Sequence, residues 1–139
     1  MNFALALIAL GLAGYTAFGF YKAGRFKATA SRETMLSAGF GWIEKLPTGV
    51  VRLIAWLELL GAAGVVLAPL AAFFIPALAW ALWVGVAAAA GLALTMVVAA
   101  IIHLSRKEFA YTWKANLSLF AAALATGVAL SFVQVPLFS

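Results

Sequence analysis

The sequence predicts an all-α fold, an integral membrane four-helix transmembrane bundle forming one domain over residues 1–139, and three observations predict it. Hydrophobic residues make up 67% of the chain and charged ones 9%, against roughly 25% charged in an average soluble domain. Four apolar runs, at about residues 3–21, 51–68, 77–102 and 117–138, each approach or exceed the ~17 to 25 residues that carry a helix across hydrocarbon. The nine Lys and Arg fall in or at the edges of only two of the three segments between those runs.

The first run, TM1, has no Lys or Arg before it and carries bulky residues from Tyr15 to Tyr21 at its end. Both features argue for a retained helix over a cleaved signal peptide. The segment that follows holds Lys22, Arg25, Lys27, Arg32, Lys45 and, at the edge of TM2, Arg52. It also mixes in Met35, Leu36, Phe40, Trp42, Ile43 and Leu46, the composition of a stretch lying in the interface. Gly39, Gly41, Pro47 and Gly49 predict that it forms short pieces and no long helix.

TM2 and TM3 are joined by residues 69–76, bounded by Pro69 and Pro76 and free of charge. Arg106, Lys107 and Lys114 follow TM3. The positive-inside rule then places both basic segments in the cytoplasm, with the proline-bounded turn and both termini outside it. Tyr111 and Trp113 before TM4, and Phe73, Phe74, Trp80 and Trp83 about the start of TM3, suit headgroup depth at the two surfaces. A bacterial inner (cytoplasmic) membrane is the expected location.

Composition also removes whole classes of function. With no cysteine, disulfides, thiolate metal sites and iron–sulfur clusters are excluded within this chain. A single histidine cannot ligate haem twice, and His103 with Glu58 gives two ligands where catalytic zinc takes three from protein, so no metal is expected. The net charge of +5 comes from residues between helices and predicts topology, with no nucleic-acid partner. Ser105 and Ser118 lie in no nucleophile motif. Glycines of TM1 (Gly11, Gly14) and TM2 (Gly61, Gly64) fall inside helices and read as packing positions.

Taking 100° per residue, Ile54, Glu58, Gly61, Ala62 and Val65 share a stripe of TM2. Six residues past Arg52, Glu58 lies about 9 Å into the membrane, where a carboxylate costs a few kcal/mol unless paired, hydrated or protonated. Gly85, Ala89, Leu92, Met96, Ala99 and His103 share a face of TM3. Asn116, Phe120, Ala123, Gly127, Leu130 and Gln134 share one of TM4. Antiparallel neighbours bring the start of TM2, the end of TM3 and the start of TM4 together, so Arg52, Glu58, His103 and Asn116 are expected in one polar cluster. Such a cluster either binds a ligand or fastens helices, and Arg52 either pairs there or snorkels to lipid phosphate. Arg52 and Glu58 are about 120° apart on the helix, so direct pairing requires long reach or a water.

The stretch Leu46-Pro47, Val51-Arg52-Leu53-Ile54, Glu58-Leu59-Leu60-Gly61-Ala62-Ala63-Gly64 and Leu67-Ala68-Pro69 resembles the signature of the DoxX-like family of small four-helix membrane proteins, departing from it at Ala55, where a glycine is expected. His103 and Asn116 fit the same pattern, and the resemblance runs essentially the whole length. It implies the fold and topology. It also implies an accessory subunit of a membrane redox or quinone-linked system, with no intrinsic cofactor and a quinone or lipid-like molecule as the ligand. A homo-oligomer or a partner membrane subunit is implied as well. A small proton-coupled carrier working through Glu58, and a structural or assembly factor for a larger complex, are the alternatives.

Overall fold

A computed structural model describes residues 2–133. Five α-helices follow one another: α1 (Phe3–Thr29), α2 (Arg32–Ser37), α3 (Thr48–Phe74), α4 (Ala81–Ser105) and α5 (Phe109–Phe132), with single 3₁₀ turns at Gly41–Ile43 and Pro76–Leu78. The long helices α1, α3, α4 and α5 are each apolar and long enough to cross a membrane. They form an up-and-down ring in which α1 packs on α3 and α5, and α4 packs on α3 and α5. The protein is a multi-pass membrane protein of four-helix bundle form, in contact with the lipid bilayer.

The outer surface carries large apolar side chains such as Phe18, Leu53, Trp56, Leu60, Leu94 and Ile101. Lipid, not water, is the medium that tolerates such an exterior. Small residues fill the inside. Ala13, Ala62, Val65, Ala89, Leu92 and Ala123 form the central core around Phe20, and a second cluster about Ala9, Ala72, Leu82 and Leu130 fills the end near the proline-bounded turn.

The helices differ from the four apolar runs at their ends. α1 continues eight residues past Tyr21, through Lys22, Arg25 and Lys27, because its buried stripe Thr16, Phe20, Gly24, Lys27 keeps helical spacing and cations suit a helix C-terminus. α3 runs through Pro69 to Phe74, beyond the expected end at residue 68. Pro69 lacks an N–H to donate to Val65, and its buried ring fills the space beside Gly85, where an added Cβ would stand 3.0 Å from Pro69 Cδ. α5 begins at Phe109, eight residues before the apolar run. Gln134 and the end of the fourth run lie outside the described residues.

The 31–47 segment forms the short pieces its glycines and proline predict. Met35, Ile43 and Val51 make a small core of their own with Phe26, Phe40, Trp42 and Leu46 around it. Arg32 ties the segment together, donating to the carbonyls of Ile43, Glu44 and Leu46 at 2.8–2.9 Å. Gly39 turns the chain at φ +90°, a conformation costly for any residue with a Cβ.

One contact ties helices in a way no run or stripe signals. Thr16 of α1 and Thr126 of α5, both fully buried, stand 2.9 Å apart through their hydroxyls. Thr126 donates to the Ala122 carbonyl at 2.8 Å, so Thr16 is the donor into Thr126. The glycines divide as well. A Cβ at Gly61 would lie 2.6 Å from Leu92 Cδ2 and one at Gly64 3.0 Å from Ala88 Cβ, placing both in the α3–α4 seam. Gly11 and Gly14, expected to pack, have no neighbouring atom within 4 Å of such a Cβ, because that face of α1 is turned outward.

Candidate functional site

Glu58 lies on the buried stripe of α3 with 1% of its surface exposed. Its partner is Lys27, on the last turns of α1, whose Nζ is 2.5 Å from Glu58 Oε2. No other described residue donates a hydrogen bond to Oε2, so Lys27 is its one partner among them. Both side chains are enclosed, at 8% and 1% exposure. Two charges removed from water hold together only as a pair; separated, each is costly. Lys27 Nζ also lies 6.0 Å from the Trp42 ring, within cation–π reach.

Arg52 does not join Glu58. It points back toward the end of α1, where it donates to the Lys27 carbonyl and, at 2.6 Å, to that of Ala30. The last turn of a helix leaves carbonyls without intrahelical donors, and the guanidinium fork serves two of them at once. The 120° offset between Arg52 and Glu58 thus sends them to different parts of one neighbour. Arg52 holds the backbone of Lys27 while Glu58 holds its side chain. Neither expected role of Arg52, pairing with Glu58 or snorkelling to phosphate, describes this arrangement.

His103, near the end of α4, directs Nδ1 to Glu108 Oε2 at 3.2 Å, and Arg106 Nε donates to Glu108 Oε1 at 2.8 Å. An ionised carboxylate only accepts, so Nδ1 carries the proton in this contact. Burial pushes the Glu108 carboxyl up, but hydrogen bonds and charge from Arg106 and His103 outweigh it and hold the group below its ordinary value. Asn116 of α5 donates through Nδ2 to the Met96 carbonyl of α4 at 3.0 Å, which leaves its amide oxygen to accept.

A cavity of about 550 Å³ lies between these groups. Lys27, Glu58, His103 and Asn116 line it together with Trp42 and Met96, and most of the remaining wall is apolar. Three of the four residues expected to converge therefore share one space, whereas Arg52 stands outside its wall. Phe40 and Trp42 of the 31–47 segment also border the cavity, and a Cβ on Gly41 would lie 3.0 Å from the Arg106 guanidinium. This mixture of apolar wall and a few polar groups suits a small molecule with a polar end. A second space, about 630 Å³, is an apolar groove between α3 and α4 that contains no titratable side chain.

Lys27 and Glu108 had no place in the expected cluster. Lys27 counted only as a topology charge, although its seven-residue spacing from Phe20 continues the buried stripe and could have placed it. Glu108 is brought to His103 by the tight α4–α5 turn, for which no spacing signal exists. The glycine expected at position 55 has its counterpart across the contact. Ala55 is fully buried, and its carbonyl would lie 3.1 Å from a Cβ on Gly24 of α1, so the close approach is made on the α1 side.

A family model described as the DoxX-like family matches residues 11–128. No curated protein and no solved structure matches the chain. The family match spans most of all four long helices, and the chain belongs to the DoxX-like family.

Proposed function

We propose that this DoxX-like membrane protein is an accessory subunit of a membrane redox system that holds a quinone or similar lipid-like molecule in the cavity between its four helices. The observation that carries the reading is the enclosed Lys27–Glu58 pair in the wall of an otherwise largely apolar 550 Å³ space. Burying an ion pair rarely improves stability over apolar packing, so its presence beside open space favours a role toward a ligand. A quinone head carries carbonyl oxygens that the Lys27 ammonium suits as a donor, and the ring fits beside Trp42 and Met96. His103 Nε2 and the Asn116 amide oxygen suit the hydroxyls of the reduced form.

The location proposed is the inner membrane, with the 31–47 segment and the α4–α5 turn in the cytoplasm and both termini outside. It rests on the nine Lys and Arg at that end of the bundle and none about the α3–α4 turn. As an accessory subunit the chain works beside a partner membrane protein or a second copy of itself.

Native mass spectrometry of gently purified wild type and Glu58→Gln tests the ligand. A quinone or other small amphiphile retained by the wild type and lost from the variant is the expected result. A wild type that carries no such molecule, and takes up none when decylbenzoquinone is added, would remove the reading.

A further inference from the structure

The polar cavity and the apolar groove adjoin each other and share part of their walls. Leu57 of α3 and Gly91 and Thr95 of α4 line both. From this junction the groove follows α3 past Gly61 and Gly64 to Ala68, eleven residues or about 16 Å along the helix axis. Small residues on both helices hollow it out, and it opens on the lipid-facing side of the bundle.

The junction itself is apolar. Thr95 Oγ1 donates to the Gly91 carbonyl at 2.9 Å, which satisfies the hydroxyl within α4 and leaves its methyl group as the wall. Gly91 offers no side chain, and no atom lies within 4 Å of where its Cβ would be. Leu57 is 56% exposed. A chain of methylene groups passes such a junction without leaving a buried polar atom unpaired.

We propose that the two spaces form one lateral site for an amphiphile with an uncharged, oxygen-bearing head and a long apolar tail. The head lies between Lys27, Glu58, His103 and Asn116, and the tail passes Gly91 into the α3–α4 groove. The head is uncharged because the two charged side chains of the wall, Lys27 and Glu58, already balance each other, as do Arg106 and Glu108 behind His103. A further charge there would be enclosed without a counter-ion. The ligand enters from the bilayer between α3 and α4, tail last, without crossing the Trp42 side of the cavity.

This inference rests on the ligand reading above, and one pair of variants separates the two. Gly91→Leu fills the junction from a position with open space around it, so the bundle remains folded, whereas Glu58→Gln alters the head end. Full-length protein in nanodiscs is titrated with decylbenzoquinone, with the same benzoquinone head lacking the decyl chain, and with a diacylglycerol as the second source of a neutral oxygen-bearing head. Gly91→Leu is expected to weaken whichever tailed probe binds wild type by about tenfold, a change readily resolved, and to leave the tail-less head within about twofold. Glu58→Gln is expected to weaken both forms of the head. Decylbenzoquinone binding alone identifies a quinone-type ligand, and diacylglycerol binding alone a glycerolipid; Gly91 sensitivity in either supports the site. Equal binding of the tailed probe to wild type and Gly91→Leu would overturn the tail path while leaving the head site intact. Failure of every probe, with Glu58→Gln indistinguishable from wild type, would remove both.

Discussion

Lys27 Nζ of α1 stands 2.5 Å from Glu58 Oε2 of α3, and Arg52, six residues before Glu58, donates to the carbonyl of that same lysine. One helix thus grips a single residue of its neighbour at both backbone and side chain. The pair lies about 9 Å inside α3 from Arg52, where neither charge has ready access to water.

Removing one member of the pair is expected to cost more than removing both. Lys27→Met leaves the Glu58 charge enclosed without its partner and should destabilise the bundle by about 3 kcal/mol. Lys27→Met combined with Glu58→Leu should recover most of that loss, since apolar packing of similar volume commonly replaces a buried ion pair at little cost. Thermal unfolding in one detergent, arranged as a double-mutant cycle, checks this. A double variant no more stable than Lys27→Met would show that the two side chains act independently.

Arg52 is a positioning residue in this scheme. Arg52→Gln removes two charge-assisted hydrogen bonds and should cost about 2 to 3 kcal/mol. Arg52→Lys should recover only part, because a single ammonium does not reproduce the fork between the Lys27 and Ala30 carbonyls. Hydrogen exchange at the amides of residues 26–32 localises the effect: faster exchange there in Arg52→Gln, with α4 unchanged, is the expected pattern.

The glycines of α1 and α3 should respond differently to the same substitution. Gly61→Leu drives its side chain into Leu92, which is itself buried, and overpacking of this kind costs about 1 to 3 kcal/mol. Gly11→Leu meets nothing and adds only an apolar side chain toward lipid, so it should be neutral or slightly stabilising through helix propensity. Comparing the melting temperatures of the two variants decides whether the seam or helix composition controls stability.

Glu108 gives the α4–α5 turn a pH dependence with a definite sign. Its carboxyl is held below the ordinary value by Arg106 and His103 in the folded protein, so it binds a proton more readily when unfolded. The resulting stability is fully present above the ordinary carboxylate range and is lost as the pH falls through the lowered value. The difference in melting temperature between wild type and Glu108→Gln should therefore be constant near neutrality and shrink on acidification through that window. A difference that grows as the pH falls would contradict the assignment.

Much of this was legible in the sequence because the bilayer penalises charge so strongly. Four helices and their order follow from where Lys and Arg are missing, and Glu58 stands out as the one carboxyl within an apolar run. The helix ends were less legible. Lys27 sits among residues that resemble a polar linker but keeps the buried spacing of α1, and Pro69 resembles a stop although a neighbouring glycine accommodates its ring. Contacts set by tertiary approach, such as Thr16 with Thr126, or by a tight turn, such as His103 with Glu108, have no periodic signature. Arg52 belongs to the expected cluster because the start of TM2 meets the end of TM3 and the start of TM4; its 120° offset from Glu58 is legible in the sequence, whereas the α1 carbonyls to which it turns are not.

The same α4–α5 turn contains a backbone conformation that is open to improvement. Lys107 follows the end of α4 with φ 59°, the left-handed region where a Cβ crowds the following carbonyl. The position closes α4: Glu108 N–H donates to the His103 carbonyl at 2.8 Å and Lys107 N–H to that of Leu104 at 3.1 Å, the arrangement in which glycine commonly ends a helix. Lys107 is exposed and appears in none of the ion pairs among the described residues, so replacing it removes no such contact. Lys107→Gly should stabilise the protein by about 1 kcal/mol, less the greater freedom glycine gives the unfolded chain. Lys107→Ala, which keeps the Cβ and removes the charge, should give no such gain. Equal effects of the two substitutions in thermal unfolding would assign the change to charge and not to the backbone.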